Sequence, residues 1–343
     1  MDFFLNSSVF SVCSVAKKHC SNSIFENQTG EIVNENTKPF SRRQFIGTAA
    51  MGAAALALAP QGNFCHAEDL RNYEPNLRDR LWMWGHGPGT TNDLYNIPTG
   101  KNIDMADAMD SMGIPNVCVI RWRGKPEPPF DEYIKQFQKT KRVAWSVVDG
   151  APQSYEQKKQ WVFELSEKMP NLVSFYLDDY FHGPSVPPEG QVDSPACLTL
   201  DQVRDLRKEM NALKRPTDLS VVLYSYQLAG GGAGLQRHID ACDVVSFWTW
   251  HATDLVALAE NFKRYREIVP DKPTLLGTYM WDFGNAKPIT PELMKLQLEF
   301  ALEQFKKGQI EGMIFHCTPL CDLDLEAVEY SRKWIAEYGD LVR

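Results

Sequence analysis

Short apolar runs recur along the chain, and stretches with the apolar spacing of an amphipathic helix separate most of them. The runs are short and bounded by turn-forming residues, which is typical of buried strands. They predict eight β-strands, at residues 81–84, 116–121, 142–148, 172–177, 219–224, 244–250, 274–279 and 312–316. Helices are predicted at 105–112, 131–140, 255–268 and 325–338, and others begin at capping signals.

The capping signals lie where the strand pattern leaves room for helices. Ser154 and Thr199 each precede a Gln by three residues, as in a capping box, while Thr290 precedes Pro291 and Gly308 follows the same helical stretch. A strand followed by a helix, eight times over, predicts an α/β fold of the (β/α)8 TIM-barrel type. The chief alternative is an open doubly wound sheet, but no GxGxxG follows the first strand, and the glycine run at 230–232 has a different spacing.

The N-terminal region has a different pattern. Ser41-Arg42-Arg43-Gln44-Phe45 precedes a small, apolar run at 48–59 and resembles a twin-arginine export signal. We therefore expect residues 1–67 to be a leader that engages the twin-arginine export machinery, and residues 68–343 to be a single barrel domain in the periplasm or outside the cell. The apolar run is shorter than the ~20 residues that span a bilayer, so no stable membrane anchor is expected.

Charge and cysteine content argue against one class of function and leave one structural question open. Lys and Arg total 36 against 44 Asp and Glu, a formal net charge of −8, and no basic cluster stands out. Nucleic-acid binding is therefore not expected. The region after the leader has an odd number of cysteines and no CxxC pair, and the sequence leaves open whether Cys317 and Cys321 form a disulfide.

The fourth predicted strand runs directly into two acids, Asp178 and Asp179. By period-two alternation, Val173, Phe175 and Leu177 share one face, and Ser174, Tyr176 and Asp178 share the other. Parallel α/β folds place their chemistry at the C-terminal ends of the strands. A single Asp there often only caps a helix or tightens a turn. Two acids followed by aromatic residues favour a functional site.

Aromatic residues accompany polar ones at most of the other strand ends. A flat apolar ring beside hydrogen-bonding acids suits a sugar, although tryptophans can also simply fill the top of a barrel. Arg121 would bind an acidic sugar or pair with Asp149. The predicted substrate-binding residues are Trp84, His86, Arg121, Tyr224, Trp248, Trp250, Trp281 and His316.

Glycoside hydrolysis requires two carboxyl groups. Asp178 and Asp282, at the ends of the fourth and seventh strands, are the predicted catalytic pair, with Asp178 as nucleophile or base and Asp282 as general acid. Asp179 would hydrogen-bond ring hydroxyls or tune the pKa of Asp178 by like-charge repulsion, and it would replace Asp178 if the strand alternation is shifted by one residue. Asp149 and Asp322 are reserve acids.

The segment Tyr176-Leu177-Asp178 resembles the aromatic-x-Asp that ends the fourth strand of certain secreted (β/α)8 glycoside hydrolases. The resemblance implies that Asp178 is the nucleophile that forms a covalent glycosyl-enzyme and that a later strand supplies the acid/base. Many such families place the acid/base after the sixth strand, where this chain has Asp254. The DxxDxDxE pattern of chitinases is absent.

Two other functions stay open. His86, Asp178, Asp179, His182 and His316 are ligand types that zinc or manganese accepts, as in a metal-dependent hydrolase or isomerase. Neither an HxH pair on the first strand nor HExxH is present, so no cofactor is expected. The third possibility is a carbohydrate-binding barrel without catalysis.

Overall fold

The computed structural model describes residues 73–181, 195–229 and 234–343. Its strands are β1 (Leu81–Gly85), β2 (Asn116–Val119), β3 (Arg142–Val148), β4 (Leu172–Leu177), β5 (Asp218–Tyr224), β6 (Val244–Trp248), β7 (Thr274–Tyr279) and β8 (Gly312–His316). Each strand pairs in parallel with the next, and β8 pairs with β1, so the sheet closes into a barrel. The predicted TIM barrel is confirmed.

The helices that connect these strands are α1 (Met105–Met112), α2 (Tyr155–Lys168), α3 (Leu200–Asn211), α4 (Gln236–Asp240), α5 (Leu258–Ile268), α6 (Pro291–Lys306) and α7 (Glu326–Tyr338). The prediction of a helix at 131–140 was wrong in type. A 3₁₀ segment, Tyr133–Phe137, stands there, and the Gln138 N–H bonds the Lys135 carbonyl. Similarly, the 3₁₀ segment Ala252–Ala257 replaces the first turn of the helix predicted at 255–268.

The predicted caps begin their helices, although one of the two predicted capping boxes is only half formed. Thr199 and Gln202 make a complete capping box at α3, whereas at α2 the Ser154 hydroxyl accepts from the Gln157 N–H without the return bond. Thr290 caps α6, which has Pro291 in its first turn. These bonds satisfy amide groups that the helices leave unpaired.

The alternation predicted for β4 is confirmed by the neighbours of its side chains. Phe175 packs on Phe163 of α2, with ring centroids 5.1 Å apart. On the other face, Tyr176 meets Trp84 of β1 across the barrel interior at 5.4 Å. Asp178 continues this inward-facing series by one step, toward the C-terminal mouth of the barrel.

The opposite end of the barrel holds a buried ion cluster. Asp79, just before β1, lies 3.1 Å from the Arg142 guanidinium and 2.5 Å from the Lys141 ammonium. The Asn116 side chain donates to the Asp79 carbonyl. The cluster ties the starts of the first three strands together.

Cys317 and Cys321 are buried free thiols and are not bridged. In the part of the chain that the structure covers, no helix is both long and apolar enough to cross a membrane. The predicted leader, residues 1–67, lies outside the described residues.

Candidate functional site at the barrel mouth

A cavity of about 580 Å³, measured with its solvent-open part, lies at the C-terminal ends of the strands. Its walls are mainly aromatic rings, with two carboxylates and two imidazoles among them. The lining residues are Trp84, His86, Thr91, Leu94, Tyr95, Trp122, Asp178, Asp179, Tyr224, Trp248, Trp250, Tyr279, Phe283 and His316.

Asp178 and Asp179, hereafter the aspartate pair, both reach this cavity from β4. The Asp178 N–H bonds the Val148 carbonyl at 2.9 Å, which extends the pairing with β3 by one residue. Consecutive residues of a strand would point to opposite faces. Asp179 instead has a φ of 45°, in the left-handed region, so the chain leaves the strand geometry at this residue. Both carboxyl groups line the same cavity.

Both carboxyl groups are held in their protonated form to higher pH than usual. Burial raises the pKa of Asp178 well above its ordinary value, and the charges of Asp179 and Asp149 act in the same direction. Lys158 and the Asp179 amide oppose this shift in part. The protein atoms around Asp179 remove part of its hydration and raise its pKa, although the residue remains exposed to solvent. The hydrogen bond from the Tyr224 hydroxyl, at 2.7 Å, acts in the opposite direction and lowers the pKa of Asp179. A coupled pair of this kind supplies both a proton donor and a charged group.

Two indoles form the floor of the cavity. The rings of Trp84 and Trp248 lie 5.1 Å apart and nearly perpendicular, and the Trp248 N–H donates to the Ser246 hydroxyl at 2.9 Å. Gly277 on β7 makes room for this arrangement, since a Cβ there would lie 2.0 Å from the Trp248 ring. The Trp248 ring can therefore occupy its position only because residue 277 is a glycine.

Two neutral histidines complete the site. His86 and His316 have ring centroids 5.5 Å apart, and burial lowers the pKa of His86 to about 4. Burial and the neighbouring His86 bring the pKa of His316 well below its ordinary value. The Nδ1 of His86 lies 3.3 Å from the Ile120 carbonyl, whereas the Nδ1 of His316 has no hydrogen-bond partner within the described residues. Neutral imidazoles can donate to or accept from a ligand.

Comparison with known proteins supports the fold and goes no further. The catalytic domain of a hyperthermophilic chitinase from Pyrococcus furiosus matches with 13% identity over 78% of this chain and 99% of that chain, at a TM-score of 0.50. A catalytic-site mutant of active domain 2 of a thermostable chitinase from the same organism, complexed with chito-oligosaccharides, matches with 14% identity over 76% of this chain and 96% of that chain, at a TM-score of 0.50. No protein-family model and no curated protein matches the chain. At such identity the likeness shows the barrel alone, and barrels of this type host many chemistries.

Most of the predicted site residues are brought together. Both members of the aspartate pair line the cavity, as do the predicted binding residues Trp84, His86, Tyr224, Trp248, Trp250 and His316. Three predicted residues are not at its wall: Asp282, Trp281 and Arg121.

Asp282 holds a turn in place. It is 2% exposed, and its carboxylate accepts from the backbone amides of Ala252 and Asn285 and from the Asn285 side chain. These bonds connect the loop after β6 with the loop after β7. The carboxylate is thus engaged behind the cavity wall.

Trp281 and Arg121 also hold loops. The Trp281 N–H donates to the carbonyl of Tyr95, which lines the cavity. Arg121 donates to the carbonyls of Gly124 and Pro126, and its guanidinium packs on Trp161 at 4.9 Å. Both side chains therefore act on the loops that carry wall residues.

The remaining candidate acids are not among the residues that line the cavity. Asp149 pairs with Lys158 at 2.7 Å, and Asp322 accepts from the Ile103 amide. Asp254 is exposed to solvent, and His182 lies outside the described residues. Among the residues that are described, no cluster of three or more His, Cys, Asp or Glu side chains could hold a metal ion.

Sequence reasoning did not select six wall residues. Trp122 and Tyr279 stand at strand ends, where the strand pattern alone could have found them. The others come from loops whose path the pattern does not reveal. The six are Thr91, Leu94, Tyr95, Trp122, Tyr279 and Phe283.

Proposed function

We propose that the protein is a glycoside hydrolase whose chemistry is carried by the aspartate pair. The observation behind this proposal is that two adjacent carboxyl groups with raised pKa values face one aromatic cavity at the mouth of the barrel. The likeness to chitinase domains agrees with this activity but does not carry the proposal.

The two carboxyl groups suit different tasks. Asp178 is buried and its pKa is the more strongly raised, so it serves as the general acid that protonates the leaving oxygen. Asp179 is exposed to solvent and accepts a hydrogen bond from Tyr224, so it stays ionised to lower pH than Asp178. As a carboxylate it stabilises the developing positive charge or activates water. In this assignment Asp178 takes the general-acid role that strand-end position had predicted for Asp282.

Aromatic rings around the pair give the sugar its place. Tyr95, Trp250 and Phe283 pack on one another with centroid distances of 5.3–6.1 Å and form one wall. Such rings match the CH-rich face of a pyranose, while the carboxylates and imidazoles match its hydroxyl rim.

Release of sugar from a broad panel of oligosaccharides and aryl glycosides tests the proposal. We expect release by the wild type, a loss of about 10²–10⁴-fold in Asp178→Asn, and no loss in Asp340→Asn, which changes an acid whose side chain is 85% exposed. A folded wild type that releases nothing across the panel would leave a binding protein as the better description. Activity abolished by a chelator and restored by zinc or manganese would replace the proposal with the metal-dependent alternative.

We also propose that residues 1–67 direct export by the twin-arginine route. The support is the consecutive match of Ser41-Arg42-Arg43-Gln44-Phe45 and the apolar run that follows it. The double variant Arg42→Lys, Arg43→Lys should retain full-length protein in the cytoplasm, whereas the wild type should be cleaved and found outside it. Equal export of both would contradict the proposal.

A further inference from the structure

The balance of charge in the cavity is one-sided. Its lining contains the two carboxyl groups of the aspartate pair and two neutral imidazoles, and neither Lys nor Arg is among the described lining residues. Two other acids with buried carboxylates have cationic partners: Asp79 has Arg142 and Lys141, and Asp149 has Lys158. The buried Asp282 carboxylate instead accepts from the amides of Ala252 and Asn285. The aspartate pair has neither a lysine nor an arginine beside it among the described lining residues.

Two cations that follow β2 and β3, Arg121 and Lys158, are already engaged. The Lys158 ammonium bonds both the carboxylate and the carbonyl of Asp149, at 2.7 and 2.9 Å. The Arg121 guanidinium donates to carbonyls of its own loop and lies over Trp161. Lys158 acts on Asp178 only through its charge, and neither cation is among the residues that line the cavity. The cavity wall therefore leaves room for a positive charge that arrives with the ligand.

The rest of the cavity also favours a cation. Indole and phenol rings attract a cation to their faces, by ~0.5–2 kcal/mol for each good contact. His316 is 9% exposed, lines the cavity and has an Nδ1 without a partner in the described part of the chain. Its neutral imidazole offers a hydrogen bond without repelling a positive charge.

We infer that the cavity selects a sugar that carries a protonated amine over neutral and acidic sugars. The inference rests on the proposed function for its sugar component and adds the charge of the substrate. The geometry that carries it is the placement of the Asp179 carboxylate, the Asp178 carboxyl group, aromatic faces and an unpartnered imidazole in one cavity whose described walls lack a cation. A quaternary ammonium compound shares the charge but not the ring, and the experiment separates the two.

Binding of three methyl β-glycosides by calorimetry tests the inference: those of glucosamine, N-acetylglucosamine and glucose. They differ only at one substituent, and at about pH 6 the free amine is protonated. We expect the glucosaminide to bind at least ~10-fold more tightly than the other two, and its advantage to shrink as salt is added. Asp179→Asn should remove the advantage, and Asp340→Asn, which changes an acid whose side chain is 85% exposed, should leave it unchanged.

The outcomes distinguish the inference from the proposed function. Equal affinity for the three glycosides would overturn the inference, even if neutral oligosaccharides are hydrolysed. Choline bound as tightly as the glucosaminide would overturn the assignment to a sugar. Selective binding of the glucosaminide would support the inference even if no oligosaccharide were cleaved, a result that would count against hydrolysis alone.

Discussion

Two aspartates at opposite ends of the barrel, Asp79 and Asp178, have similar exposed fractions but different charged neighbours and opposite pKa shifts. Asp79 is 5% exposed and Asp178 is 6% exposed. Burial raises the pKa of both, but at Asp79 the bonds from Arg142 and Lys141 outweigh it, and the net pKa is lowered. At Asp178 the neighbouring Asp179 and Asp149 add to the effect of burial, and the pKa is raised well above its usual value.

The contrast shows how neighbouring charges turn the effect of burial: the cations beside Asp79 reverse it, and the acids beside Asp178 add to it. At the N-terminal end of the barrel, the ion cluster stabilises the fold by joining the starts of β1, β2 and β3. At the mouth, carboxylates without such partners cost stability when they ionise, a cost that is common at functional sites. The four substitutions below act on this contrast.

Asp79→Asn, in the ion cluster at the N-terminal end of the barrel, should have the largest effect on stability. Asp79→Asn leaves the buried Arg142 without its carboxylate and should lower the free energy of unfolding by ~3–5 kcal/mol. Urea denaturation at neutral pH measures this. Because the folded pKa of Asp79 is lowered, its contribution is present above the unfolded pKa and is lost as the pH falls through the folded one, so the two proteins should converge in acid.

Asp340→Asn is the matched control. It removes an ion pair with Arg78 whose carboxylate is 85% exposed, and it should cost less than ~1 kcal/mol. Equal losses in Asp79→Asn and Asp340→Asn would contradict the role given to the ion cluster.

Gly277→Ala should have the second largest effect and acts on the cavity floor. The added methyl group would lie 2.0 Å from the Trp248 ring, so the indole must shift, at a cost of ~1–3 kcal/mol in stability and with weaker ligand binding. Calorimetric melting and ligand titration measure the two losses. Adding Trp248→Phe should recover part of the stability, since the smaller ring leaves space. A double variant no more stable than Gly277→Ala would argue against this contact as the cause.

The fold could be predicted because the signal for each element is local. The predicted limits of β3, β4, β7 and β8 match the structure to the residue, as do those of α1. Where the prediction was wrong, as for the 3₁₀ segment Tyr133–Phe137, the apolar spacing fits either kind of helix and the hydrogen bonding decides.

The site could be predicted only in part because loop paths are set by distant contacts. Strand-end position correctly placed the aspartate pair and six other residues at the cavity. It could not show that Asp282 turns toward the Ala252 amide, or that Tyr95 arrives from the loop after β1 and is held there by Trp281. Such placements depend on bonds between residues far apart in the sequence.

Asp178→Asn should change stability in the direction opposite to Asp79→Asn. A carboxyl group whose folded pKa is raised stabilises the folded state least once the pH exceeds that pKa, because folding then has to bury a charge. The amide removes this cost, so the variant should be more stable than the wild type at alkaline pH, by more than the ~0.5 kcal/mol scatter of ordinary surface substitutions. The difference should shrink as the pH falls below the folded pKa. Urea denaturation across pH measures it, and a variant less stable than the wild type at every pH would refute the contrast.

Tyr224→Phe should have the smallest effect on stability and sharpens the distinction within the aspartate pair. The Tyr224 hydroxyl donates to Asp179 at 2.7 Å and lowers its pKa, so its removal should raise the pKa of the Asp179 carboxyl. The cost should be a few tenths of a kcal/mol, because Asp179 is open to solvent and water can replace the hydroxyl. Carbon NMR of the aspartate carboxyl groups follows the two titrations directly, and the acidic limb of kcat/KM should move to higher pH with them. A shift to lower pH, or one confined to Asp178, would show that Tyr224 does not govern the charge of Asp179, and the assignment of Asp179 as the charged partner would lose its physical basis.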